Sequence, residues 1–86
     1  MQKEILKELQ TIPGVGKRIS YDLYKLGIKK VSDLRNKNPE KLYEKLCVQS
    51  GIKVGRCMLY VFRCAVYFAQ EKNPKPKLLK WWNWKD

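Results

Sequence analysis

Apolar residues recur at helical spacing along most of this chain. Between residues 2 and 11 an apolar stripe that includes Ile5 and Leu9 alternates with Lys and Glu, which predicts an amphipathic helix. A second stripe, with apolar residues at i, i+4 and i+7, predicts a helix from about Lys17 to Leu26. Gly27 follows directly, at the position where a helix end favours left-handed backbone.

Two further helices are predicted in the second half of the chain. Asn38 suits the N-cap and Pro39 the first helical position, and Gly51 ends that helix. The most apolar segment, from Val54 to about Glu71, is longer than a strand and is predicted to be the central helix. Ser32 is expected to cap a short turn before them. The sequence thus predicts an all-α fold of about five helices, with a long apolar helix toward the C-terminus.

The chain has room for one domain, predicted over residues 1–72, followed by a Pro/Lys/Trp-rich tail over residues 73–86. The tail has two interpretations. It is either a core lid supplied by Leu78, Leu79 and Trp82, or a basic aromatic arm that stacks on unpaired bases. We favour the lid, because three tryptophans are costly to leave in water.

One stripe of the central helix carries polar-tipped side chains. Arg56, Tyr60, Arg63 and Tyr67 follow at spacings of four, three and four. Because Arg63 lies mid-way along an apolar helix, we expect it to pack rather than bind phosphate, with stacking on Trp81, Trp82 or Trp84 if the tail folds back.

The balance of charge points to a polyanionic partner. Nineteen Lys and Arg against eight Asp and Glu give a formal charge of +11. Nucleic acid is the commonest such partner, a membrane surface is the next, and lysine kept for solubility is the alternative. We expect no membrane association, because Pro74 and Pro76 leave too short a segment for an amphipathic helix in the tail.

Catalysis, metal binding and cofactors find no support in the residue types. The chain has no histidine, and Cys47, Cys57 and Cys64 lack metal-ligand spacing. We interpret the cysteines as buried free thiols. The acids are scattered among Lys and Arg, so we predict no enzyme, no cofactor and no catalytic residue. An N-terminus without an apolar signal core predicts a cytoplasmic protein.

The stretch from Leu9 to Leu23 contains the residues that we expect to bind a ligand. Pro13 ends the first helix, and Gly14 and Gly16 allow a tight hairpin in which the backbone can approach a ligand closely. Free N–H groups at the start of the next helix favour an anion, and Lys17 and Arg18 add charge there. A phosphate oxygen fits this position.

This stretch resembles the helix-hairpin-helix motif of DNA-binding proteins, in which Gly14, Val15, Gly16, Ser20 and Leu23 match in order. The resemblance implies sequence-independent binding of nucleic acid, most readily DNA, through its phosphate backbone. It also implies that the carbonyls of Gln10, Ile12 and Val15 would be the ones to hold a monovalent cation. The predicted contact residues are Pro13, Gly14, Val15, Gly16, Lys17, Arg18 and Ser20, with further basic contacts from Lys29, Lys30, Lys53 and Arg56.

The whole chain, with its Trp-rich end, resembles small bacterial helix-hairpin-helix proteins grouped as the "pathogenicity locus" family. A doubled motif would carry a second G-x-G, whereas Gly51 and Gly55 stand four apart. A lone hairpin implies weak binding, with dissociation constants of about 10⁻⁴ to 10⁻⁶ M. Tighter binding would need a partner protein or a homodimer.

The main alternative is a protein-interaction module. In that interpretation the hairpin only organises the fold, and the aromatic tail or the stripe from Arg56 to Tyr67 docks a partner.

Overall fold

The computed structural model describes residues 2–85; residues 1 and 86, the outer limits of the predicted domain and tail, lie outside them. The predicted all-α class is confirmed: residues 2–85 contain four α-helices and no β-strand. These are α1 (Gln2–Leu9), α2 (Lys17–Lys25), α3 (Pro39–Ser50) and α4 (Cys57–Gln70). Three 3₁₀ helices, at Val31–Leu34, Pro76–Leu79 and Trp81–Trp84, complete the described elements, so the structure has four α-helices rather than about five.

The ends of α2 and α3 follow from their local sequence. Leu26 is the C-cap of α2, and Gly27 after it has a φ of +93°. The Asn38 side chain accepts hydrogen bonds from the backbone N–H groups of Glu40 (2.9 Å) and Lys41 (3.3 Å), which caps α3 as predicted. Gly51 ends α3 in left-handed backbone, with a φ of +72°.

Three predicted boundaries differ from the structure, and the first is the end of α1, which lies at Leu9 rather than residue 11. Ser32 lies within the first 3₁₀ helix and makes no cap; that end is instead tied to α1 by the Glu8 carboxylate, which accepts the Val31 N–H at 2.7 Å. Helix α4 begins at Cys57 rather than Val54. The Tyr43 hydroxyl of α3 donates to the Val54 carbonyl, which keeps the preceding segment in a loop.

The core forms where the helices meet around α4. Helix α1 packs on α2, and α3 packs on α4, while α4 also contacts all three 3₁₀ helices. Phe62 of α4 and Leu9, Leu23 and Leu34 from the other elements are fully buried. Because such side chains come from every part of the chain up to residue 66, the helices share one core.

The tail lies along α4. Arg63 donates from Nη1 to the Trp84 carbonyl at 2.8 Å, and the Trp84 indole N–H donates to the Leu78 carbonyl at 2.7 Å. The Trp84 ring lies 5.4 Å from that of Tyr67, centroid to centroid. The radius of gyration, 11.9 Å, equals the roughly 12 Å of a compact chain of this length. Of the three residues predicted to form a lid, Leu78 and Leu79 are half-buried and Trp82 is exposed.

The cysteines differ from one another, contrary to the prediction that all are buried. Cys64 is buried, Cys47 is half-buried and Cys57 is exposed. Burial raises the pKa of the Cys64 thiol above its ordinary value, because the thiolate would lose its hydration. Its Sγ lies 3.5 Å from the Leu78 carbonyl, so this thiol packs under the tail.

Candidate nucleic-acid interface

The hairpin between α1 and α2 is built by apolar anchors at its two sides. Ile12 and Val15 point into the core, and the Val15 N–H donates to the Ile12 carbonyl at 3.0 Å. Between them Gly14 has a φ of +85°, in left-handed backbone that side chains with a Cβ adopt only at a cost. Burial of the two anchors therefore turns the backbone of Gly14 and Gly16 outward, where both are exposed.

The first turn of α2 begins without a side-chain cap. Gly16 is the N-cap, with extended backbone (φ −95°, ψ −166°) and no capping hydrogen bond from a side chain. Its carbonyl accepts the first helical bond, from the Ser20 N–H at 2.9 Å. The N–H groups ahead of Ser20 have no acceptor within the helix. A Cβ built on Gly16 would meet nothing within 4 Å, so the space before these donors is open.

The charge around this helix start favours an anion. The first turn of α2 contains no acidic residue, and Lys17 and Arg18 are both exposed there. Arg18 also lines a groove of about 410 Å³ together with Lys53. Asp22 lines the same groove, so its positive charge is partly offset. Helix dipole and basic side chains thus act in the same direction at one point of the surface.

Two of the predicted contact residues, Ser20 and Val15, have buried side chains, so any contact that they make with a ligand would be through the backbone. Ser20 is fully buried: its hydroxyl donates to the Lys17 carbonyl at 2.7 Å and accepts from Gln10 Nε2 at 3.3 Å. Ser20 therefore joins α1 to α2 and does not face a ligand. The Val15 side chain is buried as well, and Pro13 is half-buried.

The further basic residues are dispersed. Lys29 and Lys30 are exposed and follow the C-terminal end of α2, directly before Val31, whose N–H donates to the Glu8 carboxylate. Lys53 lies beside Arg18 across the groove. Arg56 has its guanidinium 6.0 Å from the centroid of the Tyr60 ring. The structure therefore brings Lys53 to the groove that Arg18 lines.

The predicted cation carbonyls are partly engaged. Of those of Gln10, Ile12 and Val15, the Ile12 carbonyl already accepts the Val15 N–H. Within residues 2–85 no group of three or more Cys, Asp or Glu side chains is arranged to hold a metal ion.

Two features near basic surface were not predicted from the sequence. The tail reaches the hairpin: a Cβ on Gly14 would lie 3.2 Å from Cδ1 of Trp81. No spacing rule links residues so far apart in the chain, so the sequence carried no signal for this contact.

A larger groove of about 600 Å³ is lined by Lys37, Lys41 and Lys45. The four-residue spacing of these lysines could have indicated it from the sequence.

Over the part of the chain that the structure describes, no helix is both long enough and apolar enough to cross a bilayer.

Comparison with known proteins relates the chain to one family. Residues 2–86 match the Cdd1 family, which is described as "Pathogenicity locus". The chain is also similar to the mitomycin resistance protein McrB of Streptomyces lavendulae, with 27% identity over 77 residues that cover 90% of this chain and 70% of McrB. No solved structure matches it. Because the family match covers all but the first residue, this chain belongs to the Cdd1 "Pathogenicity locus" family.

Proposed function

We propose that this protein binds nucleic acid, most readily DNA, through backbone phosphate at the start of α2 and without reading base sequence. The observation that carries the proposal is the uncapped first turn of α2, open above Gly16 and flanked by exposed Lys17 and Arg18. The resemblance of residues 9–23 to a helix-hairpin-helix motif supports the same function.

A phosphate is the anion that this surface suits best. It offers several oxygens to N–H donors that converge at a helix start, and a polyphosphate relieves the repulsion within a chain of formal charge +11. Phosphate contacts position a protein on nucleic acid but carry no sequence information. The proposed binding is therefore sequence-independent and salt-dependent.

The sharpest test places a negatively charged side chain at the position proposed for the phosphate. Gly16→Asp places a carboxylate at the N-cap, where the backbone already has the extended geometry that capping residues use. The carboxylate should cap α2 and raise the free energy of unfolding by roughly 0.5–1 kcal/mol. The same carboxylate should occupy the phosphate position, so binding to a random-sequence oligonucleotide, measured by fluorescence anisotropy, should fall at least tenfold.

Asn73→Asp is the matched control, because it changes the net charge equally at an exposed position outside the hairpin. It should leave binding within about twofold, the effect of one distant charge. A Gly16→Asp protein that is folded and binds as well as Asn73→Asp would make the hairpin purely architectural and overturn the proposal.

The name of the relative McrB refers to mitomycin resistance, a property of that protein. The name states no molecular mechanism. The proposal for this chain therefore rests on the geometry of the hairpin and not on the name.

The second candidate function is a protein-interaction module, favoured by one observation. Val48 and Ile52 are 81% and 67% exposed, and both border one shallow depression on α3 and the loop after it. Partner binding through these side chains would persist at high salt, whereas phosphate binding would not. Binding that is lost completely between 50 mM and 500 mM salt would therefore indicate phosphate contacts. Binding that persists at 500 mM salt would indicate contacts with a partner protein.

A further inference from the structure

The tail places an aromatic side chain beside the hairpin. Trp81 packs against the backbone of Gly14, with Cδ1 at 3.2 Å from the position a Cβ would take. The ring of Trp82 lies edge to face with that of Trp81, with 5.7 Å between centroids and an interplanar angle of 87°. Only one indole ring thus separates Trp82 from the hairpin.

Trp82 is exposed although its neighbours are packed. Trp81 and Trp84 are only partly accessible, whereas Trp82 is exposed, with 50% of its surface open to solvent. The 3₁₀ helix that carries it is anchored by the two residues that follow the ring: Asn83 donates to the Lys77 carbonyl at 2.7 Å, and Trp84 donates to the Leu78 carbonyl at 2.7 Å. The ring is therefore presented from a supported segment and not from a loose end.

We propose that Trp82 stacks on an unpaired base while the hairpin holds backbone phosphate of the same strand. This inference rests on the proposed function and specifies its substrate class as single-stranded or locally unpaired nucleic acid. Trp82 would be the residue that distinguishes this substrate from a fully paired duplex.

The surroundings of Trp82 complement such a strand. Lys80 and Lys85 flank it and are exposed, as are Lys17 and Arg18 at the hairpin. Aromatic platforms next to basic side chains are the usual means of binding single strands, because every base has a face on which an aromatic ring can stack. In a duplex those faces are covered by neighbouring bases, and exposing one costs free energy. Paired nucleic acid would use only the phosphate contacts.

Tyr21 is the other exposed aromatic residue within residues 2–85, and a lysine ammonium lies over its ring. The Tyr21 ring lies 6.4 Å from that of Tyr24 in a stacked arrangement, and Lys25 Nζ lies 5.5 Å from its centroid. Trp82 is therefore the aromatic ring best placed to receive a base.

The test compares three probes that carry the same number of phosphates in one strand: single-stranded DNA, an abasic strand and a duplex. Fluorescence anisotropy at fixed salt gives the affinity of wild type, Trp82→Ala and Trp82→Phe for each. We expect wild type to bind the single strand about tenfold tighter than the abasic strand. Trp82→Ala should remove that difference and leave binding to the abasic strand and the duplex unchanged, and Trp82→Phe should restore most of it.

A second readout follows the ring itself. Stacking on a base should quench part of the tryptophan emission, and Trp82→Phe should lose that part of the quenching while it still binds. Equal binding of wild type to the single strand and the abasic strand, with Trp82→Ala unchanged, would overturn the stacking and leave the phosphate site intact. Absence of wild-type binding to all three probes would instead overturn the proposed function.

Discussion

Gly14 and Gly16 serve the hairpin for different physical reasons. Gly14 adopts a φ of +85° and lies against Trp81, so it is required by backbone geometry and by close packing. Gly16 has ordinary extended backbone and open space before it. The folded state tolerates a side chain at Gly16, whereas a bound phosphate would not. Sequence alone cannot separate these two roles, because both glycines fit the same motif.

The two glycines should therefore respond differently to alanine. Gly14→Ala should lower the free energy of unfolding by about 1–2 kcal/mol, because Ala pays for left-handed backbone and its Cβ presses on Trp81. Gly16→Ala should change it by at most about 0.5 kcal/mol, because the restriction that Ala places on the unfolded chain is offset by the advantage of glycine over alanine at an N-cap. Urea unfolding followed by circular dichroism measures both. Equal destabilisation by the two changes would contradict this assignment.

The buried thiol of Cys64 makes stability depend on pH. Its pKa is raised by burial, so the unfolded chain releases the proton at a lower pH than the folded chain does. The contribution is constant below the ordinary pKa of a thiol and is lost as pH rises through and above that value. Between pH 8 and 10 the free energy of unfolding of wild type should fall more steeply than that of Cys64→Ala, which lacks the thiol. Parallel curves would show that Cys64 ionises equally in both states.

At the level of elements, α4 organises the molecule by holding the tail. The C-terminal end of the stripe of Arg56, Tyr60, Arg63 and Tyr67 faces the tail. There the Tyr67 ring lies against that of Trp84, and the Tyr67 hydroxyl accepts a hydrogen bond from the Lys75 N–H at 2.9 Å. The guanidinium of Arg63 lies 5.6 Å from the Tyr60 centroid and bonds the Trp84 carbonyl. That end of the stripe is thus occupied within the chain, which leaves less of it for a partner protein.

Removing the Arg63 side chain should loosen the tail. Arg63→Ala leaves the Trp84 carbonyl without its charged donor, which should cost about 1.5–3 kcal/mol of stability and shift tryptophan emission to longer wavelength. Glu40 pairs with Arg63 at 3.3 Å but is 51% exposed, so Glu40→Ala should cost at most about 1 kcal/mol. Thermal unfolding and emission spectra measure both effects, with Arg35→Ala as an exposed control. Unmoved emission in Arg63→Ala would show that other contacts suffice to hold the tail.

For the whole molecule, the excess of positive charge has no single location. Basic side chains occupy the hairpin, the groove lined by Lys37, Lys41 and Lys45, and the tail. Charge spread in this way would attract a polyanion from many directions, whereas the proposed phosphate contact lies at one point, the start of α2, where no side chain caps the helix. Attraction and the specific contact are therefore separable by experiment.

The salt dependence of binding should separate them. Neutralising Lys17 and Arg18 together should reduce the slope of log affinity against log salt by about two, because each side chain releases roughly one counterion. Lys3→Ala/Lys72→Ala removes the same charge at exposed positions outside the predicted contact set. That control should weaken binding slightly and keep the slope. Equal slopes for the two double variants would show that the phosphate contacts lie elsewhere.

Local rules sufficed for the elements of this fold. The all-α class, the span of α2, the Asn38 cap and the Gly51 stop depend on neighbouring residues, and the sequence predicted them correctly. The hairpin was likewise located from its spacing, since Pro13 and two glycines leave the backbone little alternative. Membership of the Cdd1 "Pathogenicity locus" family agrees with the resemblance of the whole chain to that family.

Burial and distant contacts were decided by the tertiary structure. Ser20 fitted the motif as a surface contact, yet packing of α1 on α2 buries it completely. The tail could have been a lid or an arm, and its contact between Trp81 and Gly14 leaves Trp82 exposed beside the hairpin. Periodicity records which residues share a face of one helix, but not which face meets a segment elsewhere in the chain. Those choices depend on how all the elements pack together, so only the folded molecule reveals them.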